Sequence, residues 1–409
     1  MLESSDPSEY RILSLDGGGT WALIQVMALQ SIYGPDAKGH DVLSHFHLVA
    51  ANSGGSLTLA GMLENLSLDQ ILNQYFLAKN SREQIFVKAS FFEDPLNVTL
   101  HKLFGFGARY RASAKLTGLQ HLLPRTGGEK LEDLSNLFES PSKCPDIVIC
   151  AFDYQAQRAR YFRSNLNSKA ASGSRPLRVT LAEAIHASAN APVNYFDAPA
   201  IANGRQYWDG GVAGLNNPIL AAVTESLAND NKREDIRALS IGTATPGFLP
   251  FASPGQDSRL TQPITKPSVK NDLRKLASSV VDDPPDAATF IAHVALSQPI
   301  PKNRDSPPVT GNLIRMNPLI RPASGKHPNT WVPPNLFTAD DFKALADLEL
   351  DAVEESEVNL IQRLAMGWIA GDFPNQPIRM DPSTLSCEIG HITFAAAHTA
   401  WRKLCPGPP

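Results

Sequence analysis

Residues 10–32 read YRILSLDGGGTWALIQVMALQSI, and residues 46–66 read FHLVAANSGGSLTLAGMLENL. Each begins with a short apolar run, meets a turn made of Asp or Asn with small residues, and continues into an apolar stretch of helical length. That grammar is strand, tight turn, helix. Further strands are expected at Asp146 to Phe152 and Ile236 to Ile241, with helices at Leu181 to Ser188 and Pro218 to Leu227. Strands alternating with helices give an α/β fold, a mostly parallel central sheet with helices on both faces, hence three layers.

Working outward, residues 66–123 read as an irregular helical cap inserted over the carboxyl edge of the sheet. From Phe248 to Pro334 prolines are dense, with pairs starting at Pro284, Pro307 and Pro333, so long loops are expected around helices at Asn271 to Val281 and Ala287 to Ser297. Ala339 to Ile369 has one continuous amphipathic helix pattern, and its acidic stretch, Glu349 to Glu357, reads as a solvated face. The expected organisation is a flexible lead at 1–9, a catalytic domain at 10–320 and a C-terminal helical extension at 321–409 packed on the core.

Composition narrows the function. With 409 residues and 43% hydrophobic content, the chain can bury a large core without disulfide or metal staples. A net charge of -4 gives no basic excess for tracking phosphates, so no nucleic-acid partner is expected. Cys144, Cys150, Cys387 and Cys405 lack zinc-ligand spacing and read as reduced thiols. MLESSDPSEY at the start has no signal-peptide character and no run reaches membrane-spanning length, so the expected location is cytoplasmic, with any membrane contact peripheral.

Three turns carry chemistry. A serine on a sharp strand-to-helix turn needs small neighbours, and Ser53 has them in Ala51-Asn52-Ser53-Gly54-Gly55. The same pattern also suits an ordinary helix start. Gly17, Gly18 and Gly19 can turn consecutive N–H groups toward a developing oxyanion, with Gly54 beside the serine as a further donor; a turn that merely needs glycine would look alike. A serine needs a proton acceptor. His186 lies inside a helix pattern and reads as structural, whereas Asp209 ends the apolar-aromatic pair Tyr207-Trp208 and precedes Gly210-Gly211, where partial desolvation would make its carboxylate a useful base. An Asp-Gly turn is the plain alternative. Ser56 is the nearest other hydroxyl.

The three turns, in this order, resemble the patatin-like phospholipase family: its DGGGxR motif at Asp16 to Trp21, its GxSxG elbow at Ala51 to Gly55, and its DG[GA] motif at Asp209 to Gly211. AIHASANAPVNYF at Ala184 to Phe196 and LSIGT at Leu239 to Thr243 resemble two further family segments. The resemblance implies a Ser/Asp dyad hydrolase: Ser53 attacks the ester, Asp209 moves the proton, Gly17, Gly18 and Gly19 hold the oxyanion, and no metal or cofactor takes part. It implies phospholipids or other acyl lipids as substrates. Two positions depart from the pattern, Trp21 where the family has a basic residue and Ala51 where it has glycine.

A lipid-facing enzyme needs an apolar mouth ringed by cations. The interleaved stretch Phe86 to Lys115 supplies candidates for substrate or membrane contact in Lys102, Phe104, Phe106, Arg109 and Arg111. The resemblance also admits a nucleotide activator, and the C-terminal extension a homo-oligomer. Two other readings stand beside the hydrolase: a catalytically silent lipid-binding or nucleotide-sensing module on the same fold, and an ATP-dependent kinase of the actin-like superfamily, whose phosphate hairpin LDGGGT resembles. The kinase requires an antiparallel hairpin after Thr20.

Overall fold

The computed structural model describes residues 9–88, 108–173, 177–192, 195–247, 257–261, 286–303, 305–327, 330–381 and 386–406. Among these, one mixed sheet of eight strands organises the molecule. Its strands are β1 (Tyr10–Leu15), β2 (Leu48–Ala51), β3 (Asp146–Asp153), β4 (Arg158–Arg163), β5 (Ala200–Ala202), β6 (Arg205–Asp209) and β7 (Ile236–Ile241), and, after the short strand β8 (Thr245–Pro246), which pairs elsewhere, β9 (Leu313–Met316). The order across the sheet is β5-β6-β3-β2-β1-β7-β9, with β4 on the other edge of β3. The run β3-β2-β1-β7-β9 is parallel, whereas β4 and β6 run antiparallel to β3. The sheet is mostly parallel with helices around it, as the alternating pattern predicts.

Burial explains the pattern. Leu48, Val49, Ala50 and Ala51 of β2 are fully buried, as expected for a strand covered on both faces. The alternate residues divide between two cores. Leu13, Leu15, Val49 and Ala51 face α1 (Leu23–Tyr33) and α2 (Ser53–Leu63), while Ile12, Leu48 and Ala50 face α5 (Ile219–Ala228) across the sheet. Two further helices lie near the site, α3 (Ala112–Leu122) and α4 (Leu181–Ser188). Thr180 opens α4 with a reciprocal capping box to Glu183, which fixes where that helix starts.

At Gly19 the chain enters a 3₁₀ turn, Gly19–Ala22, which leads past Thr20 straight into α1. The hairpin that the kinase reading requires is therefore replaced by a helix.

The long C-terminal pattern is corrected. Ala339 to Ile369 is two helices, α6 (Ala339–Asp347) and α7 (Glu355–Ala370). Leu348 is extended, and Glu354 restarts the helix through a capping box with Glu357. The intervening segment turns inward: Glu349 and Asp351 pair with Arg109, and Ala352 and Val353 are buried. The expected solvated acidic face is thus partly an internal tether. Trp368 of α7 and Trp401 of α8 (Phe394–Leu404) join the same core as β1. The helix expected at Asn271 to Val281 lies outside the described residues; that at Ala287 to Ser297 is found over residues 286–295.

Candidate active site

The sheet brings the second and third turns together by register. Ala51, the last residue of β2, pairs with Ile149 on β3, and Asp209, the last residue of β6, pairs with Ala151 on the same strand. Since β4 occupies the other edge of β3, β2 and the antiparallel β6 meet end to end, one β3 residue apart. The elbow and the Asp-Gly turn must face each other.

Ser53 occupies the elbow with φ +47, left-handed backbone that a non-glycine residue adopts at a cost of about 1–3 kcal/mol. Packing holds it there. Its N–H donates to Ser188 Oγ at 2.9 Å, and the neighbouring Gly54 lies so close to the first turn that a Cβ there would stand 2.4 Å from Gly19 O. The Ser53 hydroxyl lies close enough to the Asp209 carboxylate to favour its ionised form. Asp209 Oδ1 accepts from Asn52 Nδ2 at 3.1 Å and from the Gly211 N–H at 2.8 Å. Ser53 is 8% exposed and Asp209 7%. Burial raises the carboxyl pKa of Asp209 above its ordinary value, opposed by Ser53, by the hydrogen bonds from Gly211 and Asn52 and by the charge of Lys115.

The glycine turn lies over the elbow. Gly17 N–H donates to Asn216 O at 2.8 Å and Gly17 O accepts from the Thr243 hydroxyl at 2.5 Å. Gly17 therefore fixes the turn, which narrows the expectation that all three glycines share one task. The N–H groups of Gly18, Gly19 and Gly54 find no acceptor among the described residues. Gly19 has φ +57, and a Cβ on it would lie 2.2 Å from Leu350 O, so both backbone conformation and space demand glycine.

Other sequence candidates fall elsewhere. His186 is buried and its pKa is pushed down to about 2, first by desolvation and then by Lys115, so it stays neutral. Ser56 is fully buried and its hydroxyl donates back to Ser53 O at 2.5 Å, the local bond of a helical serine. Lys102, Phe104 and Phe106 lie outside the described residues. Arg109 bridges Glu349 and Asp351 and stands 5.1 Å from the Tyr195 ring, so its guanidinium is engaged in an ion-pair network with the segment before α7. Phe86 packs against Tyr110 and Phe196, and Lys115 is fully buried. Arg111 is half-buried, its N–H donating to Val87 O at 3.0 Å.

Three polar groups behind the site escape sequence reading. Ser188 supports the elbow, Asn216 accepts from the glycine turn, and Arg315 on β9 donates to Asp16 Oδ2 at 2.6 Å and to Ser240 Oγ at 2.8 Å. Asp16, fully enclosed, has its pKa pushed up to about 6 by desolvation despite Arg315. Trp21, which stands where a basic residue is usual, donates its indole N–H to Glu349 O at 3.0 Å.

The family model for patatin-like phospholipases matches residues 13–223, more than half the chain, and takes in all three turns. The chain belongs to the patatin-like phospholipase family. That patatin match assigns it to a family of phospholipase-type lipid hydrolases. No curated protein matches the sequence at a significant level. Among solved structures, the chain is similar to VipD from Legionella pneumophila, at 11% identity and TM-score 0.34, over 89% of this chain and 68% of that one. It is also similar to human GIVD cytosolic phospholipase A2 in complex with methyl gamma-linolenyl fluorophosphonate, at 12% identity and TM-score 0.39, over 98% of this chain and 60% of that one. A third likeness, to the type III effector ExoU, has 16% identity and TM-score 0.22, over 45% of this chain and 40% of that one. Among the described residues no helix is long and apolar enough to cross a membrane, and no cluster of His, Cys, Asp and Glu could hold a metal ion.

Proposed function

We propose that the patatin-like chain hydrolyses acyl esters of phospholipids or related lipids, with Ser53 as nucleophile and Asp209 as general base. The observation that carries this reading is Ser53, on a left-handed elbow beneath a glycine turn, brought by strand register beside the buried Asp209 carboxylate. Ser53 Oγ attacks the ester carbonyl carbon while its proton passes to Asp209. The resulting oxyanion lies toward the N–H groups of Gly18, Gly19 and Gly54, with the start of α2 adding its positive end. Asp209 returns the proton to the leaving alcohol, and the acyl group stays on Ser53. Water, deprotonated by Asp209, then releases the fatty acid.

Burial suits the two steps. A desolvated carboxylate is a stronger base than one in water, and an enclosed site keeps bulk water from competing until the alcohol has left. The substrate surface is proposed as a membrane, met peripherally; Lys102, Phe104, Phe106 and Arg111 remain its candidates. Substituting Glu at Lys102 and Arg111 is expected to weaken binding to anionic vesicles.

Fluorophosphonate labelling with Ser53→Ala and Asp209→Asn beside wild type tests the reading. Labelling and release of fatty acid from mixed phospholipids are expected in wild type and lost in Ser53→Ala. Labelling retained without Ser53 would move the nucleophile elsewhere, and lipid binding without any product would favour the silent module.

A further inference from the structure

Lys115 on α3 is fully buried, although nothing in the proposed reaction uses it. A buried ammonium is costly unless its protons are matched. Here three acceptors surround Nζ: His186 O at 3.1 Å, Ala189 O at 2.8 Å and Asn190 Oδ1 at 2.9 Å. The Phe196 ring centroid lies 4.0 Å away. An ammonium has three protons to donate and a neutral amine two, so this shell suits the charged form, and the ring face adds cation–π attraction.

The acceptors belong to the segment that holds the dyad. His186 O and Ala189 O are carbonyls at the C-terminal end of α4, where a cation is favoured by the helix dipole. Between them Ser188 Oγ accepts the Ser53 N–H, and just beyond, Asn190 O accepts the Asp209 N–H at 3.0 Å. One side chain thus ties down the bend that positions both nucleophile and base, and its charge acts on the Asp209 carboxylate.

Resting on the dyad reading above, we propose that Lys115 is a positioning residue: its ammonium closes the 186–190 bend behind Ser53 and Asp209 and keeps the Asp209 carboxylate ionised. Burial pulls the Lys115 pKa well down, and the Asp209 charge opposes this; the three acceptors around Nζ match the three protons of the ammonium. Cys150 on β3, which feels the Asp209 charge, has its thiol pushed up to about 12 by burial, and His186 on α4, beside Lys115, is held neutral. Neither changes charge between pH 5 and 9. The Lys115 ammonium favours the Asp209 carboxylate, so its removal raises the Asp209 pKa.

The test is the pH dependence of kcat for Lys115→Met and Lys115→Gln on a chromogenic ester, with Ser53→Ala alongside and circular dichroism as the folding check. The acid limb is expected to move upward by about one pH unit, an activity loss of about tenfold at the foot of the limb that shrinks toward pH 9. A uniform loss at every pH, or an unmoved limb, would overturn the electrostatic role. Ser53-independent turnover in wild type would instead sink the dyad reading. Should both variants fail to fold, lysine 15N NMR of wild type decides: a slowly exchanging ammonium signal at pH 8 supports the proposal, and its absence rejects it.

Discussion

Arg315 and Asp16 form a fully enclosed ion pair at 2.6 Å directly behind the glycine turn, joining the last strand of the sheet to the end of the first. Arg315 lies beyond the family match at residues 13–223, while Asp16 opens the motif that the match recognises. Arg315→Met leaves a buried carboxylate unpaired and is expected to cost about 3–5 kcal/mol, measured by urea denaturation. Asp16→Asn keeps an acceptor for the guanidinium and should cost less.

Activity is expected to fall on acidification through the raised pKa of Asp209. A general base works as the carboxylate, so kcat/KM is high above that pKa and declines below it, at a pH above the ordinary carboxylate range. Asp16, near 6, also titrates above the ordinary carboxylate range. An acid limb that persists in Asp16→Asn belongs to Asp209; one that disappears belongs to Asp16.

Gly54→Ala would drive a methyl to within 2.4 Å of Gly19 O and 2.6 Å of Gly19 N, pushing the glycine turn off the elbow. Loss of one well-placed oxyanion donor typically lowers kcat by about 10²–10³. A fall of that size with a small change in KM is expected from steady-state kinetics. Unchanged kcat would take the glycine turn out of the mechanism.

Asp351→Asn removes the carboxylate that Arg109 and the Tyr110 hydroxyl both use. Charged hydrogen bonds are worth about 1.5–3 kcal/mol, and a loss of that order is expected in thermal denaturation. Because the Thr20 N–H donates to Leu350 O at 3.0 Å, hydrogen exchange at the Thr20 amide should quicken as the segment loosens. Protection equal to wild type would show that Leu350 is held by other contacts.

The strand-turn-helix units at 10–32 and 46–66 were legible because an apolar run, a small-residue turn and a helical period are local signals. The position of Asp209 was legible because a strand end beside two glycines is also a local signal. Lys115, Ser188, Asn216 and Arg315 could not, since each acts on a backbone or carboxylate brought near only by tertiary folding. Lys115 misled most: its place among aromatics and basic residues suggests an outer surface, yet α3 turns it inward onto the end of α4. The break between α6 and α7 was hidden for a similar reason. The amphipathic period continues across it, and what interrupts the helix is the docking of 349–353 on distant Arg109, Tyr110 and Arg82.

That docking makes the recognised half of the molecule inseparable from the rest. A fragment ending near residue 223 would keep all three motifs yet lose β7 and β9 from one side of β1, Arg315 from Asp16, and the carbonyl that receives Thr20. Such a truncation should yield an aggregating polypeptide, since the sheet would lose one side and the glycine turn its contacts with Leu350 and Thr243. A change in the C-terminal part therefore reaches the glycine turn through Leu350 and Arg315.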